Sequence, residues 1–140
     1  MSLVQLIYMS DLIDENEANI APILQSSISH NSKNDITGML LYSKGNFLQV
    51  LEGDKEAVDE TYDRICRDTR HHNIIFLTEE DVAERNFSNW SMGYLQLGPE
   101  HVAKMPKYAP FFQFGFDAPT IRAKPGVAKE MLELFSQGML

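Results

Sequence analysis

Residues 36–53, ITGMLLYSKGNFLQVLEG, decide the fold. Two apolar, β-type runs, Ile36 to Tyr42 and Phe47 to Glu52, flank the turn Ser43-Lys44-Gly45-Asn46. A Gly-Asn pair between such runs marks a β-hairpin. Side chains alternate along a strand. On the second run Phe47, Gln49 and Leu51 therefore face one way, and Leu48, Val50 and Glu52 the other.

A helical pattern lies on each side of this hairpin. Upstream, Ile20, Ile23, Leu24, Ser27 and Ile28 recur at helical spacing, with Asn19 as N-cap and Pro22 in the first turn, where proline is tolerated. The polar segment from His30 to Asp35 ends that helix. Downstream, Asp54 to Asp68 reads as a second helix whose stripe is Val58, Tyr62, Ile65 and Cys66.

Beyond the helices lie three more strands. Leu3 to Met9 is apolar on both faces, so it reads as a central strand, with Val4, Leu6 and Tyr8 sharing one face. Asn73 to Thr78 and Met92 to Leu97 read as the fourth and fifth. The order is strand, helix, two strands, helix, two strands. This predicts an α+β fold with a ferredoxin-like βαββαββ core. After Gly98 the chain changes character. Prolines break up an aromatic run, Phe111 to Phe116, expected to be core. Val127, Ala128, Met131, Leu132 and Phe135 then form one helical stripe, and Pro125 suits the helix start. This C-terminal helical appendage, residues 98–140, is expected to cap the sheet face that the first two helices leave open.

Composition excludes several classes. The 140 residues are 44% apolar and 23% charged, which suits one soluble globule with a real core. A single cysteine, Cys66, rules out an internal disulfide framework and a multi-thiolate metal site. Twelve basic residues against twenty acidic ones give a net charge of −8. Nucleic-acid binding needs a basic patch, and the densest basic run, Arg64 to His72, is broken by Asp68. No nucleic-acid partner is expected. No apolar run reaches membrane-spanning length, and the N-terminus lacks a secretory signal pattern, so a cytoplasmic protein is expected. Adjacent His71 and His72 on a strand would point to opposite sides, which argues against a metal site.

Two polar residues stand in apolar places. Gln49 sits mid-strand between Phe47 and Leu51, either bonded to neighbouring backbone or facing a ligand. Tyr8 ends the central strand, either as a tethered core residue or as a reactive phenol. A strand running antiparallel beside the first would bring Gln49 to the Tyr8 hydroxyl. Asn31 reads by itself as a helix C-cap.

Taken together, the runs Leu6-Ile7-Tyr8-Met9-Ser10, Asn31, Ile36 to Tyr42, Phe47 to Gly53, Asp68-Thr69-Arg70-His71, and Arg85 to Met92 resemble BLUF domains, blue-light sensors that use flavin. The resemblance covers Met1 to Leu97, taken as the photosensor domain. It implies a flavin, FAD with FMN as the alternative, held without a covalent bond between the two helices. It implies that Tyr8 donates an electron and a proton to the excited flavin and that Gln49 lies between Tyr8 and the ring. Asn31 would bond the polar edge of the ring, with Arg64, Asp68 and His71 on the ring edge or ribityl chain. Ile23 and Ser27 would line the pocket, Met92 would also contact the cofactor, and Trp90 and Met92 would carry the response into the fifth strand. His30 stands where some members have a second Asn, and Pro22 interrupts what could be a longer first helix.

The resemblance points to a photoreceptor, not an enzyme, signalling to a separate downstream protein, and a homo-oligomer is expected. The rival readings are a small flavin-dependent oxidoreductase or a hydrolase on the same fold, and a colourless interaction module.

Overall fold

The hairpin forms as its sequence predicts in the computed structural model, which describes residues 2–12, 18, 20–88, 92–96, 103, 116, 121 and 126–138, with side chains to Leu134 in the last segment. Strands β2 (Thr37–Ser43) and β3 (Asn46–Asp54) join through Lys44 and Gly45. These two residues have φ of 49° and 83°. Positive φ at both central positions gives the two-residue turn whose twist matches the strands it connects. The Gly45 amide donates to the Tyr42 hydroxyl at 3.1 Å, and the Gly45 carbonyl accepts from Leu12 N at 2.8 Å.

The sheet has five strands in the order β4-β1-β3-β2-β5. Strand β1 (Leu3–Leu12) lies between β3 and β4 (His71–Asp81), antiparallel to both. Strand β5 (Gly93–Gln96) pairs parallel to β2. Helix α1 (Ile20–Lys33) and helix α2 (Lys55–Cys66) are the two crossovers of the predicted ferredoxin-like pattern. Helix α3 (Gly126–Gly138) follows. Among the described residues no helix is long and apolar enough to cross a membrane.

Apolar side chains collect on both sides of the sheet. Val4, Leu6, Tyr8, Leu40, Phe47 and Leu51 form one cluster with Ile20 and Ile23 of α1 and Val58 of α2. Ile7, Met9, Met39, Leu41, Leu48 and Val50 form the other with Ala128, Met131 and Leu132 of α3. Phe116 and Phe87 are buried in this second cluster. Phe111 to Phe114, Pro125, Asn19, Trp90 and Leu97 lie outside the described residues, and so does the Phe135 side chain.

The helices differ from expectation at their margins. Helix α1 runs past Asn31, so Asn31 is an interior, buried residue and not a C-cap. The helix ends two residues later through Asp35, at φ 55°, with Ile36 N donating to the Asn31 carbonyl at 2.9 Å. A left-handed residue with a backbone bond spanning back over the last turn is how many helices stop. Ile28 and Cys66, expected in apolar stripes, are exposed because each sits at the edge of its helix's buried face. Helix α2 stops at Cys66, so Asp68 falls in the turn beyond it. Strand β4 is longer than its apolar pattern, since ladder bonds to β1 extend over exposed residues such as His72 and Glu80.

Gly38 is the tightest point of the hairpin. A Cβ there would lie 2.1 Å from the Val50 carbonyl oxygen and 3.4 Å from Met92 Cε. The oxygen is backbone, so the sheet itself would have to shift. Gly38→Ala is expected to lower unfolding free energy by about 2–3 kcal/mol, as overpacking against a rigid partner does, read from denaturant melts.

Candidate functional site

The β1–β3 register sets the centre of the site. Tyr8 lies directly opposite Gln49, both on the face toward α1 and α2. The Tyr8 hydroxyl donates to Gln49 Oε1. Gln49 Nε2 in turn donates to Met92 Sδ at 3.2 Å. Burial leaves these three groups 2%, 3% and 7% exposed, so neither amide end can turn to water for a partner. Desolvation pushes the Tyr8 hydroxyl well above the usual phenol range, with smaller contributions from Tyr62, Cys66 and Asp68. Tyr8 therefore keeps its proton in the dark at any ordinary pH. Its ring packs on Tyr62 of α2 at 5.5 Å between centroids.

Above Gln49, α1 and α2 part to leave a cleft of about 40 Å³. Helix α1 contributes Ser26, Ser27, His30 and Asn31, and α2 contributes Thr61, Arg64 and Ile65. Leu51 forms part of the floor, and Asp68 and Arg70 come from the turn before β4. Asp68 is held by Arg70, whose Nη2 and Nε lie 2.6 and 3.0 Å from its oxygens. This pairing outweighs partial burial, which acts the other way, and holds the Asp68 carboxyl below the usual range. Arg70 also reaches Ser26 at 3.4 Å and so spans the cleft to α1.

His30 makes the second crossing. The Thr61 hydroxyl donates to the Ala57 carbonyl at 2.7 Å, so toward His30 Nε2 at 2.9 Å it accepts. His30 thus carries its proton on Nε2, leaving Nδ1 toward Asn34 Nδ2 at 3.5 Å. Desolvation, then Arg64, holds the His30 pKa below its usual 6.5.

Of the residues expected to hold a cofactor, Ser27, Asn31, Gln49, Arg64 and Asp68 line the cleft. Tyr8, Ile23 and Met92 are buried in the cluster beneath it. His71 is buried beside that cluster, with Nδ1 2.9 Å from Ser10 Oγ and its ring edge on Phe47. Sequence reasoning missed Ser26, Thr61 and Arg70. Thr61 shares the helical face of Arg64 and Ile65, and Arg70 stands two residues after Asp68, so helix spacing and the Asp68-Thr69-Arg70 run carried a signal for both.

The donor set fits a flavin. Two carboxamides and two serine hydroxyls match a ring edge that alternates carbonyls with N–H. Arg64 and Arg70 offer cations to a ribityl phosphate, and Leu51 and Ile65 offer apolar surface to a ring face. The Arg70–Ser26 and His30–Thr61 contacts span the cleft from one helix side to the other.

Fold and site together define a class: an α+β domain with a polar-lined cleft between two helices, over a phenol–carboxamide pair. Residues 3–93 match the family BLUF, sensors of blue-light using FAD. The chain belongs to that family. It is 34% identical over 96 residues to the blue light- and temperature-regulated antirepressor BluF of Escherichia coli, a match covering 68% of this chain and 24% of that protein. It is 33% identical over 88 residues to the photoactivated adenylate cyclase subunit alpha of Euglena gracilis, covering 62% of this chain and 9% of that one. The chain thus spans about a quarter or less of these curated relatives. Among solved structures, the BLUF protein BlrB in its dark state superposes with a TM-score of 0.72 at 30% identity, covering 92% of this chain and 97% of its own. The photo-activated state of BlsA gives 0.75 at 27% identity, covering 94% of both chains. These relatives give no support to the oxidoreductase reading.

The buried histidine sets a pH dependence. Burial holds the His71 pKa below its usual 6.5, against a smaller opposing pull from Asp68. The unfolded chain therefore binds a proton that the folded one refuses, so stability is full above pH 6.5 and falls as pH drops toward the folded pKa. His71→Phe, whose ring suits the Phe47 contact, is expected to flatten the acid side of a stability–pH curve from denaturant melts.

Proposed function

We propose that this chain is a blue-light photoreceptor in which Tyr8 and Gln49 are the photoactive pair. The observation that carries this reading is the continuous chain from the Tyr8 hydroxyl through the Gln49 amide to the Met92 sulfur, beneath a cleft suited to flavin. Flavin in that cleft supplies an absorber of blue light that, once excited, is a strong one-electron oxidant. Tyr8 is the donor: it would pass an electron, together with the proton it shares with Gln49 Oε1, to the excited flavin and take both back before the lit arrangement forms, so no net redox change remains.

Gln49 is the switching group. A carboxamide has one accepting end and one donating end, and rotation or tautomerisation exchanges them. A thioether is a weak acceptor, so leaving Met92 costs the amide little, whereas leaving Tyr8 costs a full buried hydrogen bond, about 1–3 kcal/mol if unreplaced. The lit arrangement therefore differs from the dark one by a few hydrogen bonds, enough to move a two-state equilibrium and small enough to relax thermally.

Asn31, Ser27, Arg64 and Asp68 hold the cofactor in this reading, and His71 shapes the wall beside it. FAD is the cofactor we favour, supported by the family's own description. BlrP1 of Klebsiella pneumoniae has been solved with FMN. Residues 1–97 form the sensor and residues 98–140 its cap. The E. coli relative is an antirepressor and the Euglena relative a cyclase subunit, so in both the sensor accompanies an effector. By analogy, this sensor signals to a downstream effector.

Purified protein is expected to be yellow and to shift its flavin absorption to the red after blue light, returning in the dark. Tyr8→Phe is expected to abolish the shift while flavin affinity changes less than about tenfold, one hydrogen bond's worth. A normal photocycle in that variant refutes the donor role. Heat release and chromatography of the pigment identify the flavin.

A further inference from the structure

Glu52 is the most deeply buried charged side chain among the described residues, at 0% exposure. It lies three residues beyond Gln49 on β3, on the opposite sheet face, beside Leu48 and Val50. Burying a carboxylate there is costly, and an aliphatic side chain like its neighbours would pack without that penalty. What Glu52 gains is a set of donors. Its Oε1 accepts from Phe87 N at 2.8 Å, and its Oε2 accepts from Asn86 N at 3.0 Å and from Gln5 Nε2 at 2.8 Å. Two successive backbone amides of an irregular segment thus close on one carboxylate.

A second clamp holds the same segment. Arg85 donates to the Glu52 carbonyl at 3.0 Å, to Thr37 Oγ1 at 2.9 Å and to the Asp35 carbonyl at 2.7 Å. The segment also reaches α3. Phe87 is buried against the cluster that contains Met131 and Leu132, and Asn86 Nδ2 donates to Glu133 Oε1 at 3.3 Å. Five residues after Phe87 comes Met92, whose sulfur meets the Gln49 amide. One strand, β3, therefore holds this stretch of chain at two points, by Glu52 on one face and by Gln49 on the other.

We propose that Glu52 is a positioning residue for the photoswitch: by fixing the backbone of Asn86 and Phe87 to β3 it sets Met92 on Gln49, and it links that contact to α3 on the far side of the sheet. The proposal rests on the photosensor reading above. With the latch closed, Asn86 and Phe87 stay fixed to β3 when the Met92 contact to Gln49 changes. With the latch open, Asn86 and Phe87 and their α3 contacts respond to that change as well.

Glu52→Gln tests this in flavin-loaded, full-length protein. The carboxamide turns an NH2 group toward N–H donors and can satisfy only part of the set. Exchange of the Asn86 and Phe87 amides is expected to speed up about tenfold, and dark recovery of the red-shifted state to quicken about fivefold, the scale of one hydrogen bond. In a Met92→Ala background the same substitution is expected to change recovery by less than about twofold, because the effect runs through Met92. An undiminished effect in that background overturns the proposal, and so does faster exchange with unaltered recovery, the mark of a purely structural role. If Glu52→Gln fails to fold, Arg85→Ala, which opens the second clamp at a partly exposed position, carries the same cycle with the same outcomes. Absence of any light-induced shift in the unsubstituted protein sinks the photosensor reading itself. A normal shift with additive substitutions sinks only the latch.

Discussion

The register of β1 against β3 is the constraint on which everything else depends. Side chains alternate across a sheet, so a slip of one residue would send Tyr8 to the α3 side and leave Gln49 facing a different neighbour. Two buried polar pairs fix the alignment. Tyr8 meets Gln49 on the helix side, and Gln5 meets Glu52 on the α3 side. Both pairs belong to the same register, and each is satisfied only in it. A slipped sheet would strand a phenol, two carboxamides and a carboxylate away from water. The tight Lys44-Gly45 turn and the close approach at Gly38 then align β2 with the pair.

That alignment divides labour between the two faces of one strand. Gln49 looks toward the cleft and Glu52 toward α3, with a single backbone between them. A change on one face therefore needs no long chain of side chains to be felt on the other. It needs only that the segment touching both be held firmly, and two clamps from Glu52 and Arg85 do that. The strong bonds lie where nothing should move. The weak one, an amide against a thioether, lies where something must.

Much of this was legible in the sequence, for physical reasons that can be named. Alternation along residues 47–52 and the apolar run from Leu3 announced two paired strands, and antiparallel pairing put Gln49 within reach of Tyr8. The Gly45-Asn46 signal located the hairpin, though the turn itself is Lys44-Gly45. Other features needed tertiary structure. Asn31 looked like a cap because polar residues cluster around it, yet the helix continues and buries it. Ile28 and Cys66 obey the helical period but sit at the margin of their stripes, where burial depends on what lies opposite. Arg70 and Ser26 share the cleft only because a turn after α2 folds back toward α1. Glu52 gave no sign of its role. An acidic residue near a strand end reads as surface, and its partners are backbone amides, which carry no side-chain signature.

The energetics explain why such a switch is built from buried polar groups at all. In water, an amide that loses one partner finds another at once, and rotation stores nothing. Inside the core, every donor and acceptor must be matched from a fixed set, so each arrangement of Gln49 is a distinct state separated by the cost of unmaking bonds. The same burial that keeps Tyr8 protonated also makes its bond to Gln49 worth preserving. A partner on either side of the amide with equal strength would trap it in place. Unequal partners, a phenol on one side and a sulfur on the other, bias the dark arrangement without locking it. The sensor can then rest in one state, visit the other after a photon, and return by heat alone.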